Sequence, residues 1–125
     1  MADKGAVTIE CRAGDVLFEQ GQPGDRAYMV RDGLLEVSLI VNGDKQVLGA
    51  VGPGEIVGEM ALIDDQPRMA TVTALDDCVL LAIDRASFRT RLDATDKTTR
   101  HLLNRFIHLI RAMAARLAES RAQPR

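Results

Sequence analysis

The sequence predicts a mainly β fold with flanking helices: an antiparallel β jelly-roll barrel followed by a long C-terminal helix. Three observations carry that prediction. Between Val7 and Ile83 the chain is a succession of short β-type runs parted by turns rich in Gly, Pro, Asn and Asp, and many short strands with regular turns indicate a closed or sandwiched antiparallel architecture. From about Lys97 to Glu119 the apolar residues switch to helical spacing. The 125 residues suit one domain with one modest core. Residues 1–125 are therefore read as a single domain, with the barrel over about 7–83 and helices over about 84–120.

In chain order, the predicted strands are Val7–Cys11, Asp15–Phe18, Tyr28–Arg31, Leu34–Val41, Gln46–Val51, Ala70–Ala74 and Cys78–Ile83. Asn42-Gly43 between two of them is a strong hairpin signal, because a two-residue hairpin turn needs positive φ at both positions. Gly21-Gln22-Pro23-Gly24-Asp25 and Gly52-Pro53-Gly54 mark further turns. Met60-Ala61-Leu62-Ile63 has helix propensity for one short turn. Asp84 is placed to cap a helix in which Phe88 and Leu92, four apart, face the barrel. Thr95 or Asp96 caps the long helix, and Gln123-Pro124-Arg125 frays.

Residues 54–72 concentrate the chemistry. Glu59 lies in a turn bounded by Gly58 and Ala61, and Arg68 follows nine residues later. The first amide N–H groups of a short helical turn have no internal partners and attract an anion. Gly58 leaves room for close approach to the backbone. Arg68 adds a planar guanidinium that grips two phosphate oxygens at once, as a lysine does not. A carboxylate beside a phosphate is repelled by it, so Glu59 makes sense facing a sugar hydroxyl. Thr71 offers a neutral hydroxyl to a phosphate or a base. The competing reading is a salt-bridged Glu59–Arg68 loop pair with no ligand.

This stretch, Gly58-Glu59-Met60-Ala61-Leu62 followed by Pro67-Arg68-Met69-Ala70-Thr71-Val72, closely resembles the phosphate-binding cassette of the cyclic nucleotide-binding domain family. Ala13–Gly33 resembles the opening strands and turns of the same barrel, so the likeness covers roughly residues 7–120. It implies that Glu59 takes the ribose 2′-hydroxyl, that Arg68 takes the cyclic phosphate, and that the backbone at Gly58, Met60 and Ala61 completes the phosphate shell. Val57, Gly58, Glu59, Met60, Ala61, Leu62, Arg68, Met69, Ala70 and Thr71 are thus the expected ligand-binding residues. Val57 stands where the family has an aromatic, and Met69 where it has a smaller residue. Val47, Leu48 and Val57, with part of the long helix, are expected around the purine. The ligand that the resemblance implies is cAMP or cGMP, between which the sequence does not choose, and Arg68→Ala is expected to abolish binding with little loss of fold.

Leu103, Phe106, Ile110, Met113 and Leu117 are spaced 3, 4, 3 and 4 apart, a heptad seam. Leu102, Ile107, Leu109 and Ala114 widen it beyond what a lone coiled coil needs. A helix that packs both on its own barrel and on a partner chain accounts for the width, so a homodimer through the seam is expected; a helix folded only on its own barrel is the competitor. Arg100, Arg105, Arg111, Arg116 and Arg121 flank the seam and are read as a solvated face, with one of them in reach of a ligand's base.

Composition narrows the classes. A hydrophobic fraction of 46% and a charged fraction of 27% are ordinary for a soluble globular chain. No apolar run reaches membrane-span length, and Met1–Gly5 leads into no signal-type apolar segment. Cys11 and Cys78 have no metal-type spacing and read as reduced thiols of a cytoplasmic protein, although one disulfide stays open. Residues 1–96 hold nine Lys/Arg against seventeen Asp/Glu, so the body repels a polyanion while tolerating a small anion in a local positive site. After the long helix the chain stops at Arg125 without a helix-turn-helix, and direct DNA binding is not expected. The only histidines, His101 and His108, lie on the predicted helix, so no barrel metal site, no metal cofactor and no catalytic residue are expected. The expectation is a sensor or regulatory module that passes cyclic nucleotide binding through its C-terminal helix to an unidentified effector protein. The alternative is a ligand-free dimerisation or scaffold module.

Overall fold

The structure, a computed structural model, describes residues 6–122, with side chains to Leu117. The readings of Met1–Gly5, of the frayed Gln123-Pro124-Arg125 end and of the Arg121 side chain lie outside those residues. Eight strands and three helices follow in the order β1 (Ala6–Cys11), β2 (Val16–Phe18), β3 (Arg26–Asp32), β4 (Leu35–Val41), β5 (Asp44–Val51), β6 (Ile56–Val57), α1 (Glu59–Asp64), β7 (Thr71–Ala74), β8 (Cys78–Asp84), α2 (Arg85–Asp93) and α3 (Lys97–Ala122). The strands form two four-stranded antiparallel sheets, β1-β8-β3-β6 and β2-β7-β4-β5. This is the predicted jelly roll.

Alternation along the strands fills the space between the sheets. Phe18, Tyr28, Val30, Leu35, Val57, Val72 and Leu80 form one continuous apolar cluster, in which the Phe18 and Tyr28 rings stack at 6.2 Å. The Asn42-Gly43 hairpin is present: Val41 pairs with Asp44, and both turn residues have positive φ, 54° and 83°. Opposite Val37 and Ser38 the β5 register slips, since Val37 pairs with Gly49 and Ser38 with Val47, which leaves Leu48 as the extra residue of a bulge. The two-residue β6 is the one strand the sequence did not predict. It pairs Val57 with Tyr28 and Ile56 with Met29, and a run that short has no periodicity to read.

Helix caps follow local chemistry. Asp84 caps α2 by accepting a hydrogen bond from the Ser87 amide at 2.7 Å. Asp96, rather than Thr95, caps α3: its carboxylate accepts from both the amide and the hydroxyl of Thr99 at 2.8 Å. These bonds hold the Asp96 carboxyl below its usual pKa.

The seam expected to pair two copies, Leu103, Phe106, Ile110, Met113 and Leu117, does not lie on a single face of the long helix. The strip that faces the body is Leu103, Ile107, Arg111, Ala114 and Leu117, with Ile107 only 6% exposed. Ala114 and Leu117 pack with Met69 against Leu39, Val41 and Ala70. Phe106 (55% exposed), Ile110 and Met113 (62%) face outward together with Leu102 and Leu109. The apolar stripe is wide because it is two faces side by side. No helix among the described residues is long and apolar enough to cross a membrane.

Candidate functional site

The cassette is held by three connections. Gly58, in the left-handed region (φ 82°), joins β6 to α1 as the N-cap position, and the first turn of α1 has no side-chain cap. Asp65 closes α1, also left-handed at φ 57°, and its carboxylate accepts from Arg85 and Arg89 of α2. Those two arginines hold the Asp65 carboxyl below its usual pKa, the Arg89 hydrogen bond foremost. The Arg68 backbone is pinned to the Gly21-Gln22 turn: its amide donates to the Gln22 carbonyl and its carbonyl accepts from the Gly21 amide, each at 2.8 Å.

Between α1, β6 and the Arg68–Ala70 segment lies a cavity of about 130 Å³. Of the ten residues expected to bind ligand, Val57, Gly58, Glu59, Met60, Ala61, Arg68, Met69 and Ala70 line it. Leu62 is fully buried in the packing beneath α1. Thr71 is turned to another task, its hydroxyl oxygen accepting from the Gln20 amide at 3.0 Å. Val47 and Leu48, expected around a purine, are exposed on β5 and are not among the lining residues. Met69 lines the cavity and also packs with Ala114 and Leu117 of α3. Val57, at the position where the family has an aromatic, lies in the core beside Phe18 and Tyr28.

Arg68 is the cation of this cavity and is only 5% exposed. Its Nη1 donates to the Gly58 carbonyl at 2.8 Å and its Nη2 to the Arg26 carbonyl at 2.7 Å. The guanidinium carbon lies 4.0 Å from the centroid of the Phe18 ring, a cation–π arrangement. On another side stands Gly24, where a Cβ would fall 2.8 Å from the Arg68 Cζ and Nε. Nε has no hydrogen-bond partner. Burial lowers the Arg68 pKa; Tyr28, Asp25 and Glu59 work against that fall. Burial raises the Glu59 pKa, opposed by its own backbone amide and by Arg68. A buried cation with one idle donor thus shares an otherwise apolar pocket with a carboxyl group able to accept a hydrogen bond, which suits a ligand that is anionic at one point and a hydroxyl donor at another.

Phe18, Gly24 and the Arg26 carbonyl escaped the sequence reading. Gly24 carried a signal as part of a turn cluster, but its reason lies in the third dimension: it makes room for a guanidinium 44 residues later in the chain. Arg68→Ala would leave two carbonyls and a ring face without their partner, so the geometry argues for a larger cost to the fold than the sequence alone suggests.

Residues 8–95 match the family model described as the cyclic nucleotide-binding domain. The chain belongs to that family. An ABC transporter ATP-binding protein of Mycobacterium bovis is 36% identical over 89 residues, covering 70% of this chain and 27% of its own length. A cAMP-dependent protein kinase regulatory subunit of Mycosarcoma maydis is 35% identical over 113 residues, covering 79% of this chain and 21% of its own. Among solved structures, the cAMP-bound form of the EAL enzyme Bd1971 superposes with a TM-score of 0.84 at 30% identity, over 91% of this chain and 30% of that one. This chain spans about a quarter of the length of the curated relatives it matches.

Beyond the cavity, α3 is fastened to the cassette. Arg111 donates through Nε and Nη2 to the two oxygens of Asp64, the latter at 3.0 Å, and through Nη1 to the Pro67 carbonyl at 3.1 Å. The sequence had placed Arg111 on a solvated flank; the structure sets it in the strip facing the body, half-buried. Arg100 sits 3.7 Å from Asp93, while Arg105 and Arg116 are exposed. His101 and His108 are also exposed on α3.

Proposed function

We propose that this cyclic nucleotide-binding domain takes cAMP or cGMP in the cavity at Arg68, with the phosphate at Arg68 and the uncapped first turn of α1 and the ribose hydroxyl on Glu59. The observation that carries this is Arg68: a buried arginine with an unpartnered Nε, in an apolar cavity beside a half-buried carboxylate. Relatives point the same way, since Bd1971 was solved with cAMP and with cGMP. In this reading the domain binds and regulates in a cytoplasmic setting and does no chemistry of its own. Metals and cofactors have no part in it.

The output runs through α3. A ligand that prefers one position of α1 biases α3 through Arg111 and Asp64, by its differential affinity and no more. The outward apolar face of α3 then meets a second copy of the chain or an effector protein, and we favour the homodimer. A second reading, a ligand-free dimerisation scaffold, is favoured by one observation: two of the Arg68 nitrogens already have carbonyl partners within the chain.

Calorimetric titration of nucleotide-free protein with cAMP and with cGMP separates the two. Saturable binding, weakened in Glu59→Gln while the fold persists, is the expected result and identifies the preferred base. A flat titration from folded, nucleotide-free protein overturns the sensor in favour of the scaffold.

A further inference from the structure

The two cysteines, 67 positions apart in the chain, meet in the fold. Cys11 closes β1 and Cys78 opens β8, and they are direct partners in the antiparallel register. Both side chains join the inner-face cluster that also holds Ile9 and Leu80. Directly opposed antiparallel residues have Cα atoms about 4.5 or 5.5 Å apart, and both values fall within the span a disulfide bridges, about 4.4–6.8 Å. The thiols are free, with Cys11 half-buried and Cys78 buried. The Cys78 thiol donates weakly to the carbonyls of Asp76 at 3.2 Å and Leu34 at 3.4 Å.

Both cysteines line a second cavity, of about 500 Å³, together with the cation Arg12 and four acidic residues, Glu10, Asp15, Asp32 and Asp77. It lies along β8 from the nucleotide cavity: Cys78 is four residues from Ala82, whose β3 partner Tyr28 carries Val57 of β6, a separation of about 13 Å along the strand. With four acidic residues against the one arginine, the pocket's net negative charge disfavours anionic oxidants such as glutathione disulfide and admits a small neutral one.

We infer that Cys11 and Cys78 form a cross-strand dithiol site for small neutral hydroperoxides, which convert it to an intramolecular disulfide. The Cys11 thiolate attacks one peroxide oxygen, the O–O bond breaks, and hydroxide leaves to take up a proton as water. Cys78 sulfur then attacks the sulfenic sulfur of Cys11, expelling a second hydroxide that takes up the Cys78 proton. Two thiols and one hydrogen peroxide give one disulfide and two waters, with the two electrons passing from sulfur to peroxide. Cys78 releases its two carbonyl contacts as it turns. Burial, Asp15 and Cys78 all raise the Cys11 pKa, so the thiolate fraction is small and the reaction slow. The resulting bond closes a loop that contains the whole nucleotide cassette.

The test treats the full chain, reduced and native, with hydrogen peroxide or with glutathione disulfide, and follows free thiols, intact mass and peptide maps. The expected result is loss of both thiols and of two hydrogens in a single chain, a 11–78 cross-linked peptide reversed by dithiothreitol, and a melting temperature raised by about 4 °C or more. Glutathione disulfide is expected to act at least about tenfold more slowly. Cys11→Ser, checked for fold by circular dichroism, should leave Cys78 unmodified at the same peroxide dose. Two surviving thiols, cross-links between chains, or a Cys11 sulfinic acid beside a free Cys78 overturns the inference.

Discussion

Arg111 of α3 grips both carboxylate oxygens of Asp64 at the end of α1, and the pair is largely shielded from solvent, with side-chain exposures of 22% and 18%. A planar guanidinium matched to a carboxylate by two parallel bonds fixes orientation as well as distance. The long helix is therefore tied to the cassette itself, next to the ligand cavity, and not merely to the barrel wall.

Arg111→Ala leaves Asp64 half-buried without its cation, and charged hydrogen bonds of this kind contribute about 1.5–3 kcal/mol. The expected outcome is a lower melting temperature and faster amide exchange in the Ile107–Ala114 part of α3. Exchange in α3 should also lose its response to nucleotide, which loss of stability alone would not cause. The reversed pair, Asp64→Arg with Arg111→Asp, should recover about 1–2 kcal/mol over the sum of the single variants. Unchanged exchange in Arg111→Ala would exclude the tie as the route from site to helix.

Arg68 holds the cassette before any ligand arrives. Arg68→Ala removes donors from the Gly58 and Arg26 carbonyls and opens a gap against Phe18, and buried groups left unpaired cost about 1–3 kcal/mol each. We expect a destabilisation of about 2–4 kcal/mol in chemical denaturation together with loss of nucleotide binding. Arg68→Lys keeps the charge without the fork, so stability should fall less while affinity still drops by about tenfold or more. Full stability in Arg68→Ala would contradict the geometry described here.

Gly58 has two reasons to be glycine. Its φ of 82° is left-handed, and a Cβ would stand 2.6 Å from the Arg68 Nη1. Gly58→Ala thus combines a backbone penalty of about 1–2 kcal/mol with displacement of the guanidinium. Thermal melts should show the loss of stability, and titration should show weaker nucleotide binding. Retained affinity would mean that Arg68 has another position from which to act.

The cassette was legible in the sequence because its chemistry is contiguous: Glu59, Arg68 and the small residues around them fall within a dozen positions. The barrel was legible for a similar reason, since period-two strands and the Asn42-Gly43 turn are local signals. What escaped depends on distant pairs. Phe18 and Gly24 matter because they close around Arg68, 50 and 44 residues on, and no local pattern reports that. Arg111 was misjudged because a charged residue in an amphipathic helix is ordinarily solvent-facing, and its partner Asp64 stands 47 residues away. The width of the apolar stripe did signal two contacts, but heptad counting set Leu103 and Leu117, which face the body, in one line with the outward Phe106, Ile110 and Met113.

Glu59, the proposed contact to the ribose hydroxyl, is also expected to carry a cost in stability. Its folded pKa is raised, chiefly by burial, so between the unfolded and folded values the native state binds more protons than the unfolded one. Stability from this group is accordingly full below the unfolded pKa and is lost as pH rises through the folded pKa. Glu59→Gln removes the titration, so it should melt higher than the parent protein at neutral pH, with the difference vanishing in acid. The same variant should bind nucleotide about 10–100-fold more weakly, the equivalent of one charge-assisted hydrogen bond. Melting curves across the acid range, paired with titration at neutral pH, check both halves. A variant less stable than the parent at neutral pH would reverse the assignment of burial as the dominant cause.

The outer face of α3 separates oligomerisation from folding. Phe106 and Met113 are exposed by 55% and 62%, whereas Ile107, one position from Phe106, is 6% exposed. If the outer face pairs two copies, Phe106→Asp with Met113→Asp should convert a dimer to a monomer in sedimentation equilibrium. The fold of each monomer should be unaffected within about 0.5 kcal/mol, as expected for surface positions. Ile107→Asp, by contrast, places a charge between α3 and the body and should destabilise the monomer by several kcal/mol, about 3 or more. A parent protein that stays monomeric at high concentration, with and without nucleotide, would direct the outer face to an effector instead of a second copy. A double variant that unfolds as readily as Ile107→Asp would show that Phe106 and Met113 belong to the body of the domain, and the division of α3 into two faces would fail.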